Sequence, residues 1–170
     1  MSIFARAAQA VSGVAMLGRL APHLPALLNL PEPERDERIA LHAPRPLPEE
    51  SLQEYLDRMG IENFTAKETL TLRRAGVIAP EPPREWWPRI VPTLHVAEWI
   101  RDELGHPLIV GNGFRPGALN SKVGGSRGSQ HLYFRALDLD LPRKQQTGQG
   151  MRELYEVACR AWINFGEDLK

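Results

Sequence analysis

The pattern of the chain predicts an α+β protein. Three observations carry that expectation: four stretches with helical spacing of apolar residues, two short strand-like runs between them, and capping or glycine signals at helix ends. Ahead of this part lie an apolar arm and a proline-rich tether.

At 170 residues the chain suits one domain plus an appendage and can bury a real core. Its composition, 42% apolar and 25% charged, is that of an ordinary globular protein. Lys plus Arg equals Asp plus Glu at 21 each, and no dense basic run occurs, which argues against nucleic acid as a partner. The lone Cys159 excludes an intrachain disulfide and, in an apolar helical stretch, reads as a buried structural thiol. No apolar run reaches the ~20 residues of a transmembrane span. Ala7–Leu20, bracketed by Arg6 and Arg19 and interrupted by Ser12 and Gly13, lacks the centre and cleavage site of a signal peptide.

Residues 1–30 read as an apolar helical arm, too short to form a core alone, that docks on a protein assembly, another copy or a membrane surface. A helix folded back on the main domain is the alternative. Residues 31–48 carry Pro31, Pro33, Pro44, Pro46 and Pro48, which forbid helix and favour an extended tether. Its reach is at most roughly 55 Å. The globular part begins at Glu49.

Glu49–Arg58 is expected as a helix with Leu52, Tyr55 and Leu56 on one face, stopped by Gly60. Thr65 and Glu68 fit a capping box, opening a helix that runs through Arg73 and ends near Gly76. Four prolines around Trp86 and Trp87 make a rigid aromatic loop, read first as a lid on the core and second as a sugar or peptide contact. Ile90–Leu104 is amphipathic through Leu94, Ala97, Ile100 and Leu104, and Gly105 closes it. His95 and His106 read as surface or capping histidines. Leu108–Val110 is a buried strand, Phe134–Leu141 a second strand, and Gly150–Phe165 a final helix burying Leu154, Val157, Ala158 and Trp162.

The chemistry concentrates between Gly113 and Asp138. A strand delivers Arg115, a loop with Gly117, Gly124, Gly125 and Gly128 comes next, and His131 precedes the strand that holds Asp138. A neutral imidazole nitrogen and a carboxylate oxygen are both good zinc ligands. Mounted at the start and middle of one strand, they would be held rigidly. Arg115 offers a planar fork for a carboxylate or a developing oxyanion. A His and an Asp seven residues apart also suit a capping histidine and a solvated aspartate.

The ordered run Gly113-Phe114-Arg115-Pro116 to Asn120, then Val123-Gly124-Gly125, Ser129-x-His131 and Ala136-x-Asp138 resembles the peptidase M15 family, in its D-alanyl-D-alanine carboxypeptidase-like branch of phages and bacteria. Asn63 to Glu68 resembles that group's opening segment, so the likeness spans about Asn63 to Leu141. It implies an α+β fold with helices packed on a small antiparallel sheet and the site at its open face. It further implies zinc bound by His131 and Asp138, Arg115 on the substrate or the tetrahedral intermediate, and Ser129 bracing the site by a hydrogen bond. The substrate implied is a peptidoglycan stem peptide or crosslink, cleaved by a zinc peptidase made in the bacterial cytoplasm and acting at the cell wall, as part of a phage or phage-like particle.

Three departures accompany the likeness. Phe134 stands where the family has glycine, and Pro116 where it has serine. The family's third zinc ligand is a later histidine with a catalytic carboxylate just before it, yet no histidine comes after His131. On this reading residues 49–170 form a peptidase domain without its C-terminal strand. A zinc peptidase is the first expectation, and a catalytically incomplete domain serving as a structural or binding component is the second.

Overall fold

The computed structural model describes residues 43–165. The arm 1–30 and most of the tether lie outside the described residues. Helix α1 (Leu52–Arg58) and helix α2 (Ala66–Leu70) each open with the same device. The Ser51 and Thr65 hydroxyls accept from the Glu54 and Glu68 amides, and those glutamates accept from the cap residues' own backbone N–H. The box at Thr65 is therefore as the sequence reads it. The helix it opens, however, stops at Leu70 rather than running to Arg73. Strand β1 (Thr71–Leu72) comes at once, then a short 3-10 turn (Arg73–Ala75) and strand β2 (Val77–Ile78). Pairing of Leu72 with Asn112 takes these residues from the helix, a long-range contact that local propensity does not encode.

A second 3-10 turn, Arg84–Arg89, carries both tryptophans. Trp87 is buried, donates its indole N–H to Pro82 O at 3.2 Å and tilts against Tyr55, so it does cover the core. Helix α3 (Val91–Leu104) buries Leu94, Ala97 and Ile100, and Gly105 ends it in the left-handed conformation, φ 66°. Its outer Glu98 accepts from the Glu62 and Asn63 amides and the Asn63 side chain at 2.6–2.9 Å, pinning the loop between α1 and α2.

Strand β3 (Ile109–Asn112), helix α4 (Gly117–Lys122), a third 3-10 turn (Gln130–Tyr133) and strand β4 (Asp138–Asp140) come next, and helix α5 (Gly148–Phe165) packs on α3. The second strand is thus three residues long, not Phe134–Leu141. In α5, Leu154 and Val157 are buried as expected, but Ala161 and Phe165 complete that face, while Trp162 and Ala158 are only half-buried. Cys159 is also half-buried, and burial pushes its thiol up.

The sheet is antiparallel throughout, in the order β2-β1-β3-β4, with the helices packed around one contiguous core. No helix among the described residues is long and apolar enough to cross a membrane.

The described end of the proline-rich stretch lies against this body. Tyr55 donates its phenol to Pro44 O at 2.9 Å, and Arg84 donates to the carbonyls of Glu50 and Leu47. Arg58 clasps Glu50 through Nε at 2.6 Å and NH2 at 2.8 Å. That guanidinium holds the Glu50 carboxyl down to about 2.

Candidate metal centre

The site grows from the end of β3. Register between β3 and β4 runs Ile109 opposite Asp140 and Val110 opposite Leu139, then skips Gly111 to set Asn112 opposite Asp138. This is a β-bulge, one extra residue on β3, which re-aims the side chains beyond it. The next residues bond outward: Gly113 N donates to Thr71 O at 3.0 Å and Phe114 N to Thr69 O at 2.7 Å. A Cβ on Gly113 would sit 1.8 Å from Thr69 O, so only glycine lets the two segments meet.

The Gly113 carbonyl accepts from His131 Nδ1 at 2.8 Å. A carbonyl can only accept, so Nδ1 carries a hydrogen and Nε2 is the ring nitrogen left to face the carboxylate. Nε2 points at Asp138 Oδ1, 3.3 Å away. His131 is buried at 2% exposure, while the Asp138 side chain keeps 21%. Asp138 Oδ2 accepts from Asn112 Nδ2 at 2.7 Å.

Arg115 completes the group. Its backbone N–H donates to His131 O at 3.1 Å, and its guanidinium lies 3.9 Å from Asp138 Oδ2 and 3.5 Å from Asn120 Oδ1. At those distances the fork is seated near the carboxylate but not locked to it, and its remaining N–H donors can serve a substrate anion. Buried Asn120 steadies the glycine loop by donating to Ser126 O at 2.9 Å and accepting from Gly125 N at 2.8 Å. Gly125 is required there, since a Cβ would fall 2.1 Å from the Asn120 side-chain oxygen.

His131, Asp138 and Arg115 therefore come together, though not as one strand would arrange them. His131 sits in the third 3-10 turn, and Asp138 opens β4 seven residues on. Phe134 explains the spacing. It adopts the left-handed region at φ 55°, the only non-glycine residue to do so among those described. The family's glycine at this position is what such a turn favours. Here the ring is fully buried, edge-on to Phe114 at 5.8 Å. Burying a phenylalanine contributes about 1.5–3 kcal/mol, which offsets the roughly 1–2 kcal/mol of left-handed strain. Bulk replaces freedom.

Ser129 precedes the turn, and its backbone carbonyl accepts from Leu132 N at 3.1 Å. The Gly113 carbonyl braces the His131 ring from the other side of the site. Asn112, absent from the expected set, has no local signal in the sequence because its pairing with Asp138 spans 26 residues. His95 is buried on α3, and His106 is half-buried beyond its end. Neither joins a metal-binding group, for among the described residues no cluster of three His, Cys, Asp or Glu could hold an ion.

The donor chemistry of His131 and Asp138, one imidazole nitrogen and one carboxylate oxygen turned towards each other, fits two of the three protein ligands of a catalytic zinc. The family model described as Peptidase M15 matches residues 60–159, more than half of the chain and all of this site. The chain belongs to the peptidase M15 family. No curated protein and no solved structure gives a significant match.

Proposed function

We propose that the protein is a zinc-dependent peptidase acting on peptidoglycan, of the D-Ala-D-Ala carboxypeptidase or endopeptidase kind. One observation carries the reading: His131 Nε2 and Asp138 Oδ1 face each other at 3.3 Å, with Arg115 beside the same carboxylate. His131 and Asp138 would hold the zinc. Bound zinc supplies Lewis-acid polarisation of a scissile carbonyl and lowers the pKa of water. Arg115 binds the stem-peptide carboxylate or the oxygen that gains charge, because a guanidinium recognises both in the same planar geometry. Gly113 and Asn120 keep the imidazole and the glycine loop in place. The apolar arm docks the domain on a protein assembly, such as a phage or phage-like particle that must breach a cell wall.

Zinc stoichiometry of the full chain, with a His131→Ala control, tests this. One tightly held zinc per chain, lost in the control, together with release of stem-peptide fragments from purified peptidoglycan, is the expected result. Absence of zinc from the wild type would sink it. Deleting residues 1–48 without effect on any association would remove the docking role alone.

The lack of a three-ligand group among the described residues favours a second reading, a catalytically incomplete M15 domain that serves as a structural or binding component. It predicts peptidoglycan binding without cleavage.

A further inference from the structure

The two oxygens of Asp138 have different neighbours. Oδ1 faces His131 Nε2 at 3.3 Å, and Oδ2 accepts the Asn112 amide at 2.7 Å. Arg115 stands farther from the same Oδ2, at 3.9 Å. Asn112 thus makes a short contact that helps to set which way the carboxylate turns. Its own place comes from the bulge. Had pairing run on regularly beyond Val110 and Leu139, Gly111 would stand opposite Asp138, and no side chain would reach across.

The nature of the donor matters as much as its position. An amide N–H is neutral, so it orients a carboxylate without cancelling its charge. A guanidinium at the same distance would compete with any cation for that charge. We infer that Asn112 is a positioning residue: its amide holds Asp138 Oδ2 so that Oδ1 alone is presented to a cation shared with His131. This rests on the zinc-binding reading above. The step is purely one of orientation, with no covalent or proton-transfer change.

The test compares the full-length wild type with Asn112→Leu, similar in volume but without a donor, and Asn112→Ser, which keeps one. Zinc affinity is measured by competition with a chromophoric chelator, thermal melting is measured without metal, and the visible spectrum is recorded with cobalt(II). Asn112→Leu should bind zinc roughly 10–100-fold more weakly, the usual effect of losing a residue that supports a ligand. Its cobalt bands should shift as the carboxylate turns, while its metal-free melting stays near wild type and Asn112→Ser falls between. Wild-type affinity and spectrum in Asn112→Leu overturn the inference alone. So does a loss of affinity that merely tracks a lower melting point, with the cobalt bands unmoved. If the leucine variant does not fold, Asn112→Ala decides by the same readings. Failure of the wild type to bind zinc overturns this inference and the reading beneath it together.

Discussion

Two carboxylates in this molecule are held in opposite ways. Glu50, at the junction with the proline-rich stretch, has both oxygens taken by the Arg58 guanidinium at 2.6 and 2.8 Å. Asp138 gives one oxygen to a neutral amide and turns the other to an imidazole nitrogen, with its arginine at 3.9 Å. A carboxylate clasped by a cation is neutralised and serves as a fastener. One oriented by a neutral amide keeps its charge, as the ligand role proposed for Asp138 requires. The difference lies in the partner and the distance, since both are ordinary acidic residues within reach of an arginine.

The sharpest way to break this comparison is to exchange the readouts. Asp138→Ala should weaken zinc binding by more than the roughly 100-fold that a supporting residue accounts for, with little change in thermal melting. Glu50→Ala should do the reverse, lowering the melting temperature and leaving zinc affinity at wild type. Equal effects of both variants on both measurements would erase the distinction.

A smaller effect is expected at Phe134, where the site leans on the core. Phe134→Ala should lose about 3–5 kcal/mol in denaturant unfolding. Phe134→Gly should be less damaging than alanine by about 1 kcal/mol, because glycine accepts the left-handed backbone without strain. That order inverts the rule for helices and strands, and the usual order would show that the turn has moved.

The most modest effect is a pH dependence. The folded-state pKa of Glu50 is held at about 2 against an ordinary 4.5, so its ionised form favours the native state. Its contribution is complete above about 4.5 and is lost as pH falls towards about 2. Glu50→Gln should flatten the stability curve over that acid window, lowering stability near neutrality, where the ion pair contributes in full, and leaving it close to wild type at about pH 2. Urea melts at several pH values would show it.

Much of this is legible in the sequence, wherever the governing contact is local. The Thr65–Glu68 box, the Gly105 helix end and the face of α1 are fixed by residues three or four apart, and periodicity finds them. The ordered motifs also point to Arg115, His131 and Asp138 as one group, which the structure assembles. The features that stay hidden depend on distant pairings. The early end of α2 comes from Leu72 meeting Asn112, and the roles of Asn112 and the Gly113 carbonyl come from a bulge and a turn far apart in the chain. The 3-10 turn at His131 escapes a sequence reading because Phe134, a residue suited to strands, sits in a conformation associated with glycine.

The left-handed Phe134 has one further consequence, for how the molecule responds to heat. A glycine there would let the His131 turn keep its shape whatever the core did. With phenylalanine, the turn is held open by a ring wedged against Phe114, so neither can loosen without the other. On warming, the imidazole should lose its seat and the aromatic interior its order in a single cooperative event, and the near-ultraviolet signal should fade at the temperature where any zinc supplied to the proposed site is released.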